Sequence, residues 1–402
     1  SSNGGSGAQV GSCRFRDEAL ARGVIAAQVA AGGVEPERID SMTLPNDVHS
    51  LEGIECLDGL LSLSLFGPLK GKALDLGPLE ELPALLDLQL LAGSFTGLET
   101  VARLPLESLR LSALDLGTLD ALSGQDHIES LVLTEMPATD PSALGTFTTL
   151  KRLYLEQVDV DDLSALAGLK NLEDVELRSV PLSRLSGFDR LPALRRLTTF
   201  DVPLESLEEL HGATNLTEIF ADSSELTNLA GLEDHDSLAS VSIYGNALTD
   251  ISALAGSPAL TTVWFLAGRI SSLEAFATCP QLSFLEISNN QIVDLSPLAE
   301  LPITSLNVSA NRVDSLEALR DLPLEYLDVS DNPIGSFAPL SDVSTLGQLD
   351  MSRTGATSLE FLLDVDIQNL RAAGNRIADV TPLVGKSLGS LDLSSNELTS
   401  LP

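Results

Sequence analysis

An apolar pattern that recurs every 21 or 22 residues is the feature that most limits what this chain can fold into. Each copy reads Leu-x-x-Leu-x-Leu, and in one of them the apolar positions 1, 4 and 6 are Leu282, Leu285 and Ile287. A degenerate copy at Ile39, Met42 and Leu44 comes first, and only the first regular interval, at 25 residues, departs from the period. Such self-similarity predicts a repeat architecture in which each copy buries its apolar face on its neighbours. Sixteen regular copies begin at Leu60, Leu85, Leu106, Ile128, Leu150, Leu172, Leu194, Leu216, Leu238, Leu260, Leu282, Ile303, Leu324, Leu346, Ile367 and Leu388.

Each position of a copy has its own structural role. The alternation around positions 4 and 6 predicts a short strand with one buried face. Position 13 is usually a capping residue, such as Asp294, and predicts a short helical or 3-10 turn after the strand. A buried Asn at position 9 can satisfy backbone groups of adjacent copies. This position is Asn in six copies, namely Asn246, Asn290, Asn311, Asn332, Asn375 and Asn396.

The segment 282–299, LSFLEISNNQIVDLSPLA, resembles the 22-residue class of bacterial leucine-rich-repeat proteins seen in internalins and in SDS22-like phosphatase regulators. The resemblance covers Ile39 to Pro402. It implies an α/β fold, a right-handed leucine-rich-repeat solenoid or horseshoe, with a parallel β-sheet on the concave face and helical or 3-10 turns on the convex face. It also implies protein partners on the concave face. No wall-sorting motif or immunoglobulin-like module follows the repeats. Position 9 departs from the family in the first half of the chain, where it is apolar in Leu114, Met136, Val158, Val180 and Val202.

The domain organisation follows from the same pattern. Residues 1–12 are predicted to be a flexible linker because Gly and Ser dominate them, as in a tether that follows a cleaved export signal or in an expression scar. Residues 13–38 are predicted to be an N-terminal helical cap, with a helix over 15–31 whose apolar stripe includes Leu20 and Val24. Residues 39–402 are predicted to form the solenoid, whose last copy is incomplete. An uncovered last strand would need either more chain or a pairing partner.

The three cysteines raise the question of a disulfide. Cys13 precedes the predicted helix and Cys56 lies just before the first regular copy. If the helix caps that copy, the two could meet and form a bond in an oxidising compartment. The alternative is that all three are buried free thiols. In either case Cys279 is expected to be unpaired on the back of the solenoid.

Charge and missing motifs exclude several function classes. The net charge of −35 opposes nucleic-acid binding and attraction to anionic lipid. No apolar run is long enough to span a bilayer, so we expect no membrane insertion, although a lipid or wall tether is compatible. No catalytic motif appears, and the four histidines lack metal-site spacing and are expected in surface loops. We therefore expect no enzyme activity, cofactor or metal site, with calcium at Asp159–Asp162 as the minor alternative.

Aromatic residues gather on the face that strand alternation directs to solvent, at positions 3, 5 and 7 of copies 5 to 11. The single Trp and all three Tyr of the chain lie at positions 3, 5 or 7 of their copies, and all of them except Tyr326, in copy 13, fall in copies 5 to 11. Large rigid rings on an exposed surface are typical of binding sites. Two alternatives stay open, namely aromatics that pack only on one another and aromatics that stack on a glycan. The predicted ligand-binding residues are Tyr154, Phe200, Glu218, Phe220, Asp222, Tyr244, Trp264, Phe284 and Glu286.

These observations predict a non-catalytic protein-binding scaffold. We expect a monomeric, secreted or surface-anchored bacterial protein that holds a protein or peptide ligand, basic by charge complementarity. One alternative is an intracellular SDS22-like regulatory subunit that docks on an enzyme in the cytoplasm. Another is the recognition domain of a larger protein.

Overall fold

The computed structural model describes residues 7–137, 139–245 and 247–399 of the chain. It contains two compact units, Ser1–Leu194 and Arg195–Pro402. The first unit holds the strands β1 (Ala8–Val10), β2 (Cys13–Phe15), β3 (Ser41–Leu44), β4 (Ser62–Phe66), β5 (Leu74–Asp75), β6 (Asp87–Leu91), β7 (Phe95–Thr96), β8 (Ser108–Ser112), β9 (Ser130–Thr134), β10 (Arg152–Glu156) and β11 (Asp174–Arg178). Its helices are α1 (Glu18–Ala30) and α2 (Leu98–Val101), and its 3-10 turns are Pro36–Arg38, Ile54–Cys56, Gly77–Glu81, Asp120–Leu122, Ser142–Thr146, Ser164–Gly168 and Phe188–Arg190.

The strands of the first unit pair in parallel, one copy after another. The sheet runs β3, β4, β6, β8, β9, β10 and β11, and its register aligns equivalent positions, as in Leu131, Leu153 and Val175. These three side chains are buried because positions 4 and 6 face the core. An additional small parallel sheet joins β5, in the longer first interval, to β7 in the next copy, and the repeat pattern does not predict it.

The second unit repeats the same arrangement of parallel strands. Its neighbouring strands pair in chain order with equivalent positions in register, such as Val241 with Val263. The strands are β12 (Arg196–Phe200), β13 (Glu218–Asp222), β14 (Ser240–Tyr244), β15 (Thr262–Leu266), β16 (Phe284–Glu286), β17 (Ser305–Asn307), β18 (Tyr326–Asp328), β19 (Gln348–Asp350), β20 (Asn369–Arg371) and β21 (Ser390–Asp392). The 3-10 turns are Glu208–Leu210, Ser252–Leu254, Glu274–Thr278, Ser296–Leu298, Glu317–Leu319, Ala338–Asp342, Glu360–Leu362 and Thr381–Leu383. The predicted fold of parallel strands and short 3-10 turns is confirmed.

Capping residues initiate the turns as the pattern predicts. The Asp294 carboxylate accepts a hydrogen bond from the backbone N–H of Ser296 at 2.8 Å, and Asp250 accepts one from Ser252 at 2.9 Å. These bonds satisfy amides that the short turns leave free. They also lower the pKa of both carboxyls; the Ser296 side chain contributes most at Asp294, and the Ser252 backbone N–H contributes most at Asp250.

An asparagine ladder joins the copies of the second unit, and consists of Asn290, Asn311, Asn332, Asn375 and Asn396. Asn311 Nδ2 donates to the Ile287 carbonyl at 2.9 Å, and its Oδ1 accepts from the Ile292 N–H at 2.9 Å. Asn246, also predicted for this role, lies outside the described residues. The apolar residues at position 9, Leu114, Met136, Val158, Val180 and Val202, are buried in place of such amides.

The N-terminal cap differs from its predicted bounds. Helix α1 begins after Asp17, whose Oδ1 accepts from the Ala19 N–H at 2.7 Å, and it buries Leu20 and Val24 as expected. The linker prediction needs correction, because β1 and β2 form an antiparallel hairpin within residues 8–15 that buries Val10. Residues 1–6 of that linker lie outside the described residues. The turn between the two strands is made by Gly11, which adopts a φ of +57° that glycine tolerates well.

Two further expectations concern buried polar side chains. Cys279 is unpaired and buried, as expected. The placement of all four histidines in surface loops is wrong, because His235 is only 2% exposed. Its two ring nitrogens lie 3.0 Å from the Glu233 carbonyl oxygen and 3.1 Å from that of Leu210. Within the described ranges, no helix has the length and apolar character needed to cross a membrane.

Candidate functional site

The solvent-facing side of the second-unit sheet carries most of the predicted binding residues. In β13, Ile219 and Ala221 are buried at 1% exposure, whereas Glu218, Phe220 and Asp222 alternate with them and are partly exposed. The period of two along a strand produces this division between core and surface. We call Phe200, Phe220, Tyr244, Trp264 and Phe284 the aromatic patch, and all five are partly exposed.

Three residues of the aromatic patch form a continuous series of ring contacts across β12, β13 and β14. The ring centroids of Phe200 and Phe220 lie 4.7 Å apart, with the planes tilted by 41°. Phe220 meets Tyr244 edge to face at 5.2 Å and 75°. Edge-to-face and tilted pairs are the favoured arrangements of aromatic rings. These contacts restrain the three side chains before any ligand arrives.

The other two aromatic-patch residues form a second stack on β15 and β16. The Trp264 and Phe284 rings have centroids 4.6 Å apart and planes 30° apart. Ser242 is aligned in register with both Phe220 and Trp264, and it is only 8% exposed. The aromatic patch thus combines packing between its own rings with exposed ring surface.

Acidic side chains accompany the aromatic patch. Arg196 Nε donates to Glu218 Oε2 at 3.0 Å, and this ion pair partly neutralises one of them. Asp222 and Glu286 have no basic nitrogen within 4.0 Å in the described part of the chain. The surface around the aromatic patch is therefore negatively charged, which favours a cationic ligand.

The pKa values of two tyrosine hydroxyls on this face, Tyr244 and Tyr326, are raised by burial and by nearby carboxylates. Burial raises the pKa of Tyr244, and the carboxylates of Glu286 and Asp222 raise it further. Burial also raises the pKa of Tyr326, with Asp328, Glu286 and Asp350 adding to the rise. Both hydroxyls accordingly remain neutral at physiological pH and can serve as hydrogen-bond donors.

Tyr154 belongs to the first unit and has different surroundings. Its hydroxyl donates to Glu156 at 2.9 Å, and burial, followed by this bond, raises its pKa. The ring lines a shallow cavity of about 170 Å³ together with Arg152, Asp174 and Glu176. Tyr154 is therefore a predicted contact residue that does not belong to the aromatic patch.

Sequence reasoning missed a polar cavity in the second unit. Tyr326, Gln348, Asp350, Asn369 and Arg371, on copies 13 to 15, help to line a cavity of about 240 Å³. At the solvent-facing positions 3, 5 and 7 of these copies, Tyr326 is the one aromatic residue, and it is the signal that could have revealed the cavity.

The predicted disulfide is present, with Cys13 and Cys56 joined at a Cα–Cα separation of 5.8 Å. Within the described ranges, the one group of three side chains with metal-ligand donors close together consists of these cysteines and Glu37. The bond consumes both thiolates, which are the form of cysteine that binds metals. The group accordingly does not offer a complete ligand set while the disulfide is intact.

Comparisons with known proteins relate the chain to solved structures. No protein-family model matches the sequence, and no curated protein matches it. An internalin, InlF, from Listeria monocytogenes has a TM-score of 0.53 and 20% identity over 96% of this chain and 96% of that one. A leucine-rich-repeat protein of Leptospira interrogans has a TM-score of 0.59 and 20% identity over 90% of this chain and 83% of that one.

A third similar structure is the Toll–Spätzle complex of Drosophila. It matches with a TM-score of 0.68 and 17% identity over 89% of this chain. The match spans 55% of that chain, which is about half of its length. Identities at this level establish the fold alone. Together with the repeat, these similarities show that the chain has the leucine-rich-repeat fold, similar to that of internalins.

Proposed function

We propose that this chain is a non-catalytic scaffold that binds a protein or peptide ligand through the exposed sheet face of copies 5 to 11. The observation that carries the proposal is the aromatic patch, in which Trp264 and Tyr244 are restrained by neighbouring rings and still partly exposed. Rigid aromatic side chains give a large contact area with little loss of entropy, and they dominate the energetics of many interfaces. Glu218, Asp222 and Glu286 make the surrounding surface acidic and favour a basic ligand.

The similar structures support a binding role. One of them is the complex of Toll with Spätzle, a molecular hub in Drosophila development and innate immunity. For the present chain we infer the same class of activity, holding a protein partner, without inferring the same partner.

We further infer that the protein is secreted or attached to a bacterial cell envelope. The Cys13–Cys56 disulfide supports this location, because such bonds persist in oxidising compartments. Mass spectrometry of the native protein, alkylated before lysis, tests the inference. A bonded pair supports export, whereas two alkylated thiols would contradict it and favour the cytoplasmic regulatory subunit.

Ligand capture with matched variants tests the binding role. The full chain is immobilised beside the Trp264→Ala/Tyr244→Ala variant and the Asp350→Ala/Asp392→Ala variant, and each is exposed to envelope or host extract. We expect one protein to be retained by the wild type and the aspartate variant and to be lost from the aromatic variant. Retention by all three would contradict a role for the aromatic patch.

A further inference from the structure

Glu286 is a nearly buried carboxylate on the otherwise accessible face of the second-unit sheet. It occupies position 5 of copy 11 and is only 9% exposed. Its Oε1 accepts a hydrogen bond from the backbone N–H of Ser288 at 3.1 Å. No basic nitrogen of the described residues lies within 4.0 Å of it. Removing a carboxylate from water without a cationic partner is costly, so this position favours a cation supplied by a ligand.

Aromatic residues neighbour this carboxylate on the same face of the sheet. Trp264 is the register partner of Glu286 on the neighbouring strand β15, and Phe284 precedes it by two residues on the same face of β16. The stacked Trp264–Phe284 pair therefore borders the carboxylate on one side. Tyr244 and Tyr326 are close enough for its charge to affect both hydroxyls. A cation is attracted to the faces of such rings and to the carboxylate at the same time.

The guanidinium of arginine fits this combination best. It is planar and weakly hydrated, so it can stack on an indole ring while its N–H groups donate to a carboxylate edge. We propose that Trp264 and Glu286 form the receptor for one arginine side chain of the protein ligand. This inference rests on the proposed function and deepens it, since it names the chemistry of the ligand at the aromatic patch.

The single tryptophan of the chain makes the site directly observable. Trp264 is the only Trp, so intrinsic tryptophan fluorescence reports this site alone. The full chain is titrated with the end-blocked peptide Gly-Gly-Arg-Gly-Gly and with the same peptide carrying citrulline, which is a neutral isostere. Ionic strength is held constant because surface charge effects are screened by salt. We expect a saturable change in emission with the arginine peptide and at least about fivefold weaker binding of the citrulline peptide.

Two isosteric variants then separate the local carboxylate from overall charge. Glu286→Gln removes the proposed charge and keeps an oxygen for the Ser288 N–H, so we expect a folded protein that binds the arginine peptide at least about fivefold more weakly. Glu274→Gln, in the exposed turn Glu274–Thr278, removes the same charge elsewhere and should leave the affinity unchanged. Thermal unfolding midpoints check the fold of each variant. If Glu286→Gln proves unstable, the citrulline comparison on the wild type decides.

Three results would overturn the inference: no saturable response to the arginine peptide, equal binding of the citrulline peptide, or an unchanged affinity in a folded Glu286→Gln variant. None of them bears on capture of the whole ligand by the aromatic patch. If the Trp264→Ala/Tyr244→Ala variant loses that ligand while Glu286→Gln retains it, the proposed function stands and the arginine receptor fails. If Glu286→Gln loses the response to the arginine peptide and the Trp264→Ala/Tyr244→Ala variant loses the whole ligand, the arginine receptor and the proposed function are both supported.

Discussion

Trp264 stacks on Phe284 with ring centroids 4.6 Å apart, although the two residues lie in different copies of the repeat. The contact runs diagonally, from position 5 of one strand to position 3 of the next. Long-range restraint of this kind fixes side-chain orientation in the free protein, so less conformational entropy is lost when a ligand binds. The contact between Trp264 and Phe284 depends on the stacking of two adjacent copies, so the stacked scaffold orients the side chains that we propose to bind the ligand.

The asparagine ladder should stabilise the second unit, and Asn311→Ala tests this. The substitution removes partners from the Ile287 carbonyl and the Ile292 N–H, both within the buried part of the ladder. We expect the free energy of unfolding to fall by about 2–4 kcal/mol, because buried backbone groups would lose their hydrogen bonds. Urea unfolding followed by circular dichroism measures the change.

Asn396→Ala is the matched control for this prediction. Asn396 makes the equivalent bonds, to the Ala372 carbonyl at 2.8 Å and from the Ile377 N–H at 3.0 Å, but it is partly exposed. Water can replace its amide, so the loss should be about 1 kcal/mol or less. Equal losses for the two variants would mean that burial of the ladder is not the source of its contribution.

The disulfide should stabilise the N-terminal cap. It closes a sequence separation of 43 residues between the Cys13 strand and the turn Ile54–Cys56. Cys13→Ser/Cys56→Ser is expected to reduce stability by about 2–4 kcal/mol, with the largest increase in hydrogen exchange within α1. A reducing agent should lower the thermal midpoint of the wild type to that of the variant and leave the variant unchanged. A wild-type midpoint that is insensitive to reduction would contradict a structural role for the bond.

The repeat pattern is sufficient to predict the scaffold, for a physical reason. Leu282, Leu285 and Ile287 are spaced as a strand requires, and all three are almost fully buried. Positions 3, 5 and 7 then follow from the period of two, which is why Trp264 could be placed on the solvent-facing side of the strand. Because the same apolar positions recur in every copy, a shifted strand register would expose them, and the observed register is favoured.

Details that arise between copies could not be predicted in this way. The burial of Glu286 and the pairing of Trp264 with Phe284 depend on side-chain conformation across strands, which the spacing of apolar residues does not encode. The hairpin at residues 8–15 was not predicted, because its Gly-rich sequence has the composition of a linker. Apolar spacing also does not show that Ile25 and Val29 of α1 are 48% and 73% exposed, because α1 buries only one narrow face.

The stability of the second unit should depend on pH through Asp328. Burial raises the pKa of its carboxyl, although hydrogen bonds from Ser330 oppose the rise. The folded protein thus holds this proton more tightly than the unfolded chain. The stabilisation is fully present below the unfolded pKa of about 3.9 and is lost as the pH rises through the folded value. Asp328→Asn should therefore raise the thermal midpoint at pH 7, with the advantage shrinking as the pH is lowered below about 4.

Asp392→Asn is the comparison for Asp328→Asn. The two aspartates occupy the same position of their copies, but the backbone N–H of Ser394 lowers the pKa of Asp392, which is exposed. An ionised carboxylate is favoured there, so neutralising it should not raise the midpoint at pH 7. Midpoints measured for both variants between pH 3 and 7, in buffers of one ionic strength, distinguish burial from a general relief of negative charge. An equal rise in the thermal midpoint of both variants at pH 7 would indicate a general relief of negative charge and contradict a specific effect of burial at Asp328.

The most direct test of the central claim is the dissociation constant of the purified ligand for three forms of the chain. Calorimetry or surface plasmon resonance should show that Trp264→Ala/Tyr244→Ala weakens binding by more than about 2 kcal/mol, or roughly 30-fold. Asp350→Ala/Asp392→Ala, on the polar part of the same sheet face, should change the constant by less than about threefold. Equal effects from the two pairs, in proteins with native circular dichroism spectra, would contradict the assignment of the aromatic patch as the binding surface.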